Sequence, residues 1–174
     1  SGAFYYKTAV RRCVADLAST GLEAVRYPSG HVDTLEVAVR RAVVTGVNQS
    51  ACRLQMERCK EVECDLVEVT AHVGARPSHA QWQGKIYSIS GKHPKYPPLS
   101  ETGYGTGAGL GGWNCRHNMF PFWEGISEPQ YTPQRLAELD AKNIEYKGKQ
   151  YSRYEINQMQ RSRERRVRRW KRQY

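Results

Sequence analysis

A stretch rich in glycine and proline in the middle of the chain constrains its fold more than any other feature. Residues 91–112 contain seven Gly and three Pro, and no helical or strand periodicity runs through them. Both residue types interrupt regular structure, so this stretch is either mobile or held in place by side chains around a site. Long regular elements are therefore expected only in the parts of the chain that flank it.

The N-terminal part is predicted to be mainly helical. Apolar residues near one face indicate a short helix over residues 4–19, and a strand over residues 22–27 follows it. Asp33 and Glu36 have the spacing of a capping box, in which each side chain bonds the backbone of the other. A long helical pattern then extends to about Val62.

Short strands are predicted on the N-terminal side of the glycine-rich stretch. Residues 66–69 are short, apolar and β-branched, which favours a buried strand leading into His72. Residues 72–84 are polar without a period and are predicted to be an ordered loop, and residues 85–89 resemble another strand. Residues 113–122, after the glycine-rich stretch, are dense in aromatic side chains and potential metal ligands.

The C-terminal third has the clearest local patterns. Thr132 followed by Pro133 is a typical helix start, with a capping residue and then proline at the first helical position. Residues 144–151 are predicted to fold back as a small hairpin. Ser152 and Glu155 form a second capping box, which predicts a helix from there to the end of the chain.

Together these patterns predict an α+β fold with N-terminal helices, a small irregular β-containing centre with long loops, and a C-terminal hairpin and basic helix. We divide the chain into an α+β domain at residues 1–150 and a basic C-terminal helix at residues 151–174. The chain begins with Ser1 and Gly2 rather than an initiator Met, so further sequence is expected before residue 1.

The overall composition is that of a globular protein without a membrane partner. The hydrophobic share is 39% and the charged share 25%, unlike a disordered tract. No run approaches the roughly 18 to 20 apolar residues that a membrane span requires. The five cysteines are too few and too irregularly spaced for a secreted disulfide framework, which favours reduced thiols in a cytoplasmic setting.

Most of the net charge of +10 lies at one end of the chain. Residues 161–174 carry one Glu and eight basic residues, namely Arg161, Arg163, Arg165, Arg166, Arg168, Arg169, Lys171 and Arg172. Such a helix binds nucleic-acid phosphates without reading sequence, through counterion release. It equally fits an acidic protein surface or a solvated part of a longer charged helix, and the residues alone leave these alternatives open.

Four residues around the glycine-rich stretch are candidate ligands of a metal ion: His72, His79, Cys115 and His117. Zinc takes four nitrogen or sulfur donors in a tetrahedron, and pairs on two facing loops can supply them. Neither pair has the two-residue spacer of a zinc finger. The structural alternative is that the histidines are hydrogen-bonded loop residues and that Cys115 is a small buried side chain.

An enzymatic interpretation uses the same residues. Cys115 beside Arg116 and a histidine has the elements of an activated thiol nucleophile. No oxyanion donor or orienting carboxylate is identifiable around it, and no catalytic residue is assigned. Arg76 and Arg116 either bind a carboxylate or phosphate or tie the loops together. The glycine-rich stretch lacks the Gly-Lys-Ser/Thr ending of a nucleoside triphosphate loop.

Two long motifs carry a family resemblance. The segment HVGARPSHAQWQG at residues 72–84 and the segment GYGTGAGLGGWNCRHNMFPFWEG at residues 103–125 strongly resemble the phage minor capsid protein 2 family. That family is similar in arrangement to Mu-type F head-morphogenesis proteins. The likeness covers most of residues 22–172. In one departure, many relatives have Cys where this chain has Gly111 or Gly112, so a four-ligand site cannot rely on that position.

The resemblance implies a minor structural protein of a phage or prophage, present in the virion head and in the host cytoplasm during assembly. Its implied partners are portal or inner-capsid proteins of the same phage, and packaged double-stranded DNA for the basic helix. Family members are usually longer than this segment. The competing class is a phage-borne nuclease or other effector enzyme that uses the His, Cys and Arg cluster.

Overall fold

The computed structural model describes residues 5–173, and its N-terminal part is a pair of packed helices with a hairpin between them. The elements are α1 (Tyr6–Ser19), β1 (Ala24–Arg26), β2 (Val32–Thr34) and α2 (Leu35–Glu61). Val10 of α1 packs with Leu35 and Val39 of α2 in a small buried cluster. Both predicted helices are confirmed; Phe4, the first residue of the predicted N-terminal helix, lies outside the described residues.

The predicted capping box at the start of α2 is wrong. The N-cap residue is Thr34, and its side chain makes no capping hydrogen bond. Asp33 instead lies in β2, opposite Val25 of β1, where its buried carboxylate accepts a hydrogen bond from Arg41 and contacts His31 Nε2 at 3.0 Å. Asp33 thus lies one residue outside the N-cap position, and its carboxylate contacts Arg41 and His31 rather than the helix end.

The centre of the molecule is a three-stranded antiparallel sheet. Its strands are β3 (Leu66–Val69), β4 (Ile86–Ser88) and β5 (Met119–Pro121), in the order β4-β3-β5. All four residues of β3 are buried, which explains why their sequence lacks an exposed alternation. One face of α2 packs on this sheet and builds the main core from Cys52, Cys59, Val67, Val69 and Met119.

The segments predicted as loops are more regular than expected. Residues 72–84 contain a one-turn helix, α3 (Pro77–Ala80), in which proline occupies the first turn. The glycine-rich stretch contains a single 3-10 turn, Leu99–Thr102. Leu99 and Leu110 are both buried in the main core. Of the two alternatives for this stretch, the structure therefore shows the one in which side chains hold it in place.

The C-terminal part agrees closely with the local patterns. It comprises α4 (Pro133–Asp140), a hairpin of β6 (Ile144–Tyr146) and β7 (Lys149–Tyr151), and α5 (Arg153–Gln173). The capping box of α5 is present: Ser152 N donates to Glu155 Oε2 at 2.7 Å, and Glu155 N donates to Ser152 Oγ at 3.3 Å. The fold is α+β, as predicted. None of the helices within residues 5–173 combines the length and apolar character that a bilayer crossing demands.

Candidate metal centre and basic helix

Three of the four predicted ligand residues converge on one point. His79 Nδ1 lies 3.4 Å from His117 Nδ1, and Cys115 Sγ lies 3.6 Å from the nitrogen of His117 and 3.9 Å from that of His79. Only 1–2% of each residue is exposed. The three donor atoms thus form a compact triangle inside the protein, shielded from solvent.

Elements from both sides of the glycine-rich stretch position these side chains. His79 belongs to α3, whereas Cys115 and His117 immediately precede β5. The long helix α2 holds the second segment: Asn48 Nδ2 donates to the His117 carbonyl oxygen at 3.2 Å, and Asn114 N donates to Thr45 Oγ1 at 3.2 Å. The centre therefore joins the helix, the sheet and the loop.

Hydrogen bonds on the far side of each imidazole determine which nitrogen carries the proton. His79 Nε2 lies 2.8 Å from the carbonyl oxygen of Ala108, which can only accept, so Nε2 is the protonated atom. His117 Nε2 lies 3.0 Å from Gln83 Oε1, which also accepts the backbone N–H of His72 at 3.1 Å. An amide oxygen in that position requires the proton on His117 Nε2. Both Nδ1 lone pairs consequently face the centre.

This arrangement matches the surroundings of metal-binding histidines, whose second nitrogen donates to an oxygen acceptor. Burial is the main reason that the pKa of His117 is lowered to about 3, and electrostatic interaction with His72, His79 and Arg76 contributes to the same shift. Burial also lowers the pKa of His79. Both imidazoles are therefore neutral at neutral pH, which is the form that binds a metal.

The spacing of the three atoms has the size expected for a metal ion. In a tetrahedral zinc site, with bonds of about 2.0–2.1 Å to nitrogen and about 2.3 Å to sulfur, two nitrogens lie about 3.3 Å apart and nitrogen and sulfur about 3.6 Å apart. The observed separations are 3.4, 3.6 and 3.9 Å. The group formed by His79, Cys115 and His117 can hold a metal ion.

The fourth predicted ligand, His72, lies beside the centre without joining it. Its ring packs against that of His117, with the centroids 4.3 Å apart, but its nitrogens are not among the converging atoms. His72 Nδ1 lies 3.2 Å from the carbonyl oxygen of Val73. His72 Nε2 is buried and has no hydrogen-bond partner among the described residues.

The two arginines near the centre differ in their roles. Arg76 Nη2 donates to the Trp113 carbonyl oxygen at 2.7 Å, so this side chain ties the loop of α3 to the end of the glycine-rich stretch. Arg116 points to the exposed surface. Of the two roles considered for these side chains, tying the loops together is the one that Arg76 adopts.

Several residues of the centre were missed by the sequence analysis. Gln83 orients His117, the Ala108 carbonyl orients His79, and Trp82 covers both imidazoles with ring centroids 4.5 and 4.8 Å away. Gln83 and Trp82 lie within the motif at residues 72–84, but neither is a ligand type. The carbonyl of Ala108 has no sequence signal at all.

The predicted nucleic-acid-binding residues lie on the exposed half of α5. Every residue from Arg161 to Lys171 is exposed, and positive charge surrounds this part of the helix. Near the start of this exposed half, the guanidinium of Arg163 donates a hydrogen bond to Tyr146 Oη of the hairpin at 2.8 Å. Arg172 belongs to the helix, but its side chain lies outside the described part of the chain.

Comparisons with known proteins agree on one family. Residues 1–174 match the family model described as phage minor capsid protein 2. A structural protein of Lactococcus phage LL-H is 32% identical over 164 residues, which are 91% of this chain and 41% of that protein. A structural protein of Lactococcus phage mv4 is 42% identical over 79 residues, 45% of this chain and 55% of that protein. The chain thus spans 41–55% of these curated relatives. No solved structure matches it.

Proposed function

The chain belongs to the phage minor capsid protein 2 family, and we propose that it is a minor structural component of a tailed-phage head, associated with the portal or inner capsid. The family match and the two phage structural proteins that resemble this chain support a place in the virion. The observation that favours a structural over an enzymatic function is the burial of the His79, Cys115 and His117 cluster. A site that transforms a substrate needs an exposed cleft in which the substrate meets the reactive atoms. Here the reactive atoms lie inside the core, where their contribution is to join segments of the fold.

The same burial weighs against a phage-borne nuclease or other effector enzyme. Cys115 is 2% exposed, so a phosphodiester or acyl substrate has no access to its thiol without local unfolding. Incubating the purified protein with DNA and with RNA, in the presence and absence of divalent metal, tests this directly. We expect no cleavage. Cleavage that disappears in His79→Ala but persists in His93→Ala, a histidine outside the cluster, would overturn the structural function.

We propose zinc as the ion of the buried centre. One thiolate and two neutral imidazoles are typical zinc ligands, and the separations of the three donor atoms fit tetrahedral zinc. Protein purified without chelators should contain about one equivalent of zinc by elemental analysis, and Cys115→Ser should lose most of it. Cys13→Ser, which removes an exposed thiol, is the matched control. Wild-type protein without metal would refute this part of the proposal.

For the basic helix we propose a partner inside the head, either packaged double-stranded DNA or an acidic face of a portal or capsid subunit. The support is that side chains 161–171 are exposed around the whole helix and that seven of these eleven are positive against one negative. The affinity for DNA should fall steeply as the salt concentration rises. In a plot of log affinity against log salt concentration, each phosphate contact should contribute about −0.9 to the slope.

Changing four arginines to glutamine, at positions 165, 166, 168 and 169, should reduce that salt slope and weaken retention on DNA. The control replaces two basic residues of the hairpin, Lys147 and Lys149, in the same way. Equal retention by both variants would exclude the helix as the DNA contact. Absence of DNA binding by the wild type would leave the portal or capsid subunit as its partner.

Within the basic C-terminal helix at residues 151–174, we also propose that the part from residue 161 onward is separable from the α+β domain at residues 1–150. The support is that side chains 161–171 are exposed rather than packed in the core. Removing residues 161–174 should leave the urea midpoint of the remaining chain unchanged. A lowered midpoint would show that the helix contributes to the stability of the main domain.

A further inference from the structure

We propose that His72, through Nε2, is the fourth ligand of the ion held by His79, Cys115 and His117, so that the centre is a closed site of one cysteine and three histidines. This inference rests on the proposed metal centre. Its basis is an unsatisfied atom: His72 Nε2 is buried and has no hydrogen-bond partner among the described residues. A buried polar atom left in that state costs free energy, so such atoms are normally paired.

The proton of His72 is placed so that this atom is available as a ligand. Nδ1 lies 3.2 Å from the carbonyl oxygen of Val73, which can only accept, so the proton is on Nδ1 and the lone pair on Nε2. His79 and His117 show the same division, with one nitrogen donating to an oxygen and the other carrying a free lone pair. All three imidazoles are thus in the form that metal-binding histidines adopt.

For His72 Nε2 to reach the ion, only the side chain of His72 has to move, because its backbone is already held next to His117. Its backbone N–H donates to Gln83 Oε1 at 3.1 Å, the same oxygen that receives the His117 proton at 3.0 Å. Two residues earlier, Thr70 N donates to the Asn118 carbonyl oxygen at 2.8 Å, next to His117. The two backbones are therefore locked together. The contact with Val73 is exposed to solvent, so water can take the place of the carbonyl oxygen at Nδ1 when the ring turns.

A fourth protein ligand changes what the ion can do. With three ligands, zinc keeps a position for water or substrate, as catalytic sites do. With four, that position is filled and the ion only holds the fold together. His72 consequently determines whether this centre is chemically inert, and an inert centre is the one that suits a structural head protein.

Cobalt(II) substituted for zinc reports the difference, because its visible absorption depends on the number and type of ligands. We expect the wild-type Co²⁺ protein to show a tetrahedral spectrum with a thiolate charge-transfer band that does not change when azide is added. His72→Gly should leave a position open, so that azide shifts its spectrum. Added imidazole should then restore the wild-type bands and suppress the azide response.

The control variant is His93→Ala, which changes a half-buried histidine that contacts Glu124 rather than the centre. Its Co²⁺ spectrum should match the wild type. An azide response of the wild-type protein itself would overturn the fourth-ligand proposal, whether or not the His72 variant folds, while leaving the three-ligand centre intact. If the wild-type protein with Co²⁺ shows no thiolate band, the proposed metal centre itself is refuted, and the proposal for His72 is refuted with it. This result is distinguishable from the azide response, which refutes only the fourth ligand.

Discussion

Replacing Gly109 by alanine should destabilise the protein severely, because there is no room for a methyl group at this position. A Cβ at residue 109 would overlap the carbonyl group of Gly103 and lie 2.6 Å from its Cα. These are backbone atoms, which cannot turn aside as a side chain can. The Gly103 carbonyl oxygen also accepts hydrogen bonds from Thr106 N at 2.9 Å and from Thr106 Oγ1 at 2.7 Å. Moving this carbonyl group would therefore break two hydrogen bonds that hold the loop.

The expected magnitude follows from the residues on either side. Overpacking a rigid site costs about 1–3 kcal/mol. If the loop relieves the overlap by moving outward, Leu110, only 1% exposed, loses part of a burial free energy of about 1.5–3 kcal/mol. The same movement would take the Ala108 carbonyl away from His79 Nε2, and leaving this buried N–H without an acceptor costs about 1–3 kcal/mol of stability. The first route predicts a loss of about 1–3 kcal/mol in the free energy of unfolding, and the second a loss of about 2–5 kcal/mol.

Urea denaturation followed by tryptophan fluorescence measures this loss, with the denaturant slope showing whether the unfolded state has changed. Two control variants separate the causes. Gly105→Ala has open space but a φ of +87°, so it should cost about 1–2 kcal/mol. Gly46→Ala lies in α2 with nothing nearby and should stabilise the helix by about 1 kcal/mol. If Gly109→Ala unfolds within about 0.5 kcal/mol of the wild type, the close approach to Gly103 is refuted.

Three further outcomes are expected. Val67→Ala, in the fully buried middle of β3, should lower the free energy of unfolding by about 2 kcal/mol in a urea titration, whereas Val47→Ala on the exposed side of α2 should change it by less than about 0.5 kcal/mol. Ser152→Ala should cost about 1 kcal/mol and reduce the helical circular dichroism. The bond from Ser152 N lowers the pKa of Glu155, so this contribution is present above the ordinary Glu pKa and lost as pH falls through the lowered one. Helix content should therefore fall on acidification, and less so in Glu155→Gln; an identical pH profile of the two proteins would contradict the capping role.

Local patterns predicted the elements that local interactions stabilise. The capping box at Ser152 and the start of α4 at Thr132 both hold, because each involves residues a few positions apart. The same reasoning failed at Asp33, because Thr34 rather than Asp33 is the N-cap residue and the Asp33 carboxylate contacts Arg41 and His31 instead. Nothing in the spacing of Asp33 reveals that its partner lies further along the next helix.

The candidate ligands that converge in the structure could be selected from the sequence, but the surroundings that orient them could not. Residue type alone selected His79, Cys115 and His117, since few other side chains bind transition metals. Their proton positions depend on Gln83 and on the Ala108 carbonyl, which are remote from the ligands they serve or lack a distinctive side chain. The one-turn helix α3 was missed because four residues are too few to show a period.

The position of β3 between its two partners has a consequence for how a nascent chain folds. Strand β4 is synthesised soon after β3 and can pair with it at once, but β5 lies beyond the glycine-rich stretch. Until β5 arrives, one edge of the most apolar strand is open to pairing with other chains, and such edges seed aggregation. An ion that bridges His79 and His117, 38 positions apart, would bring β5 close to β3 and so shorten the time during which this edge is unpaired. The yield of refolded protein should accordingly depend on whether metal is present during folding rather than added afterwards.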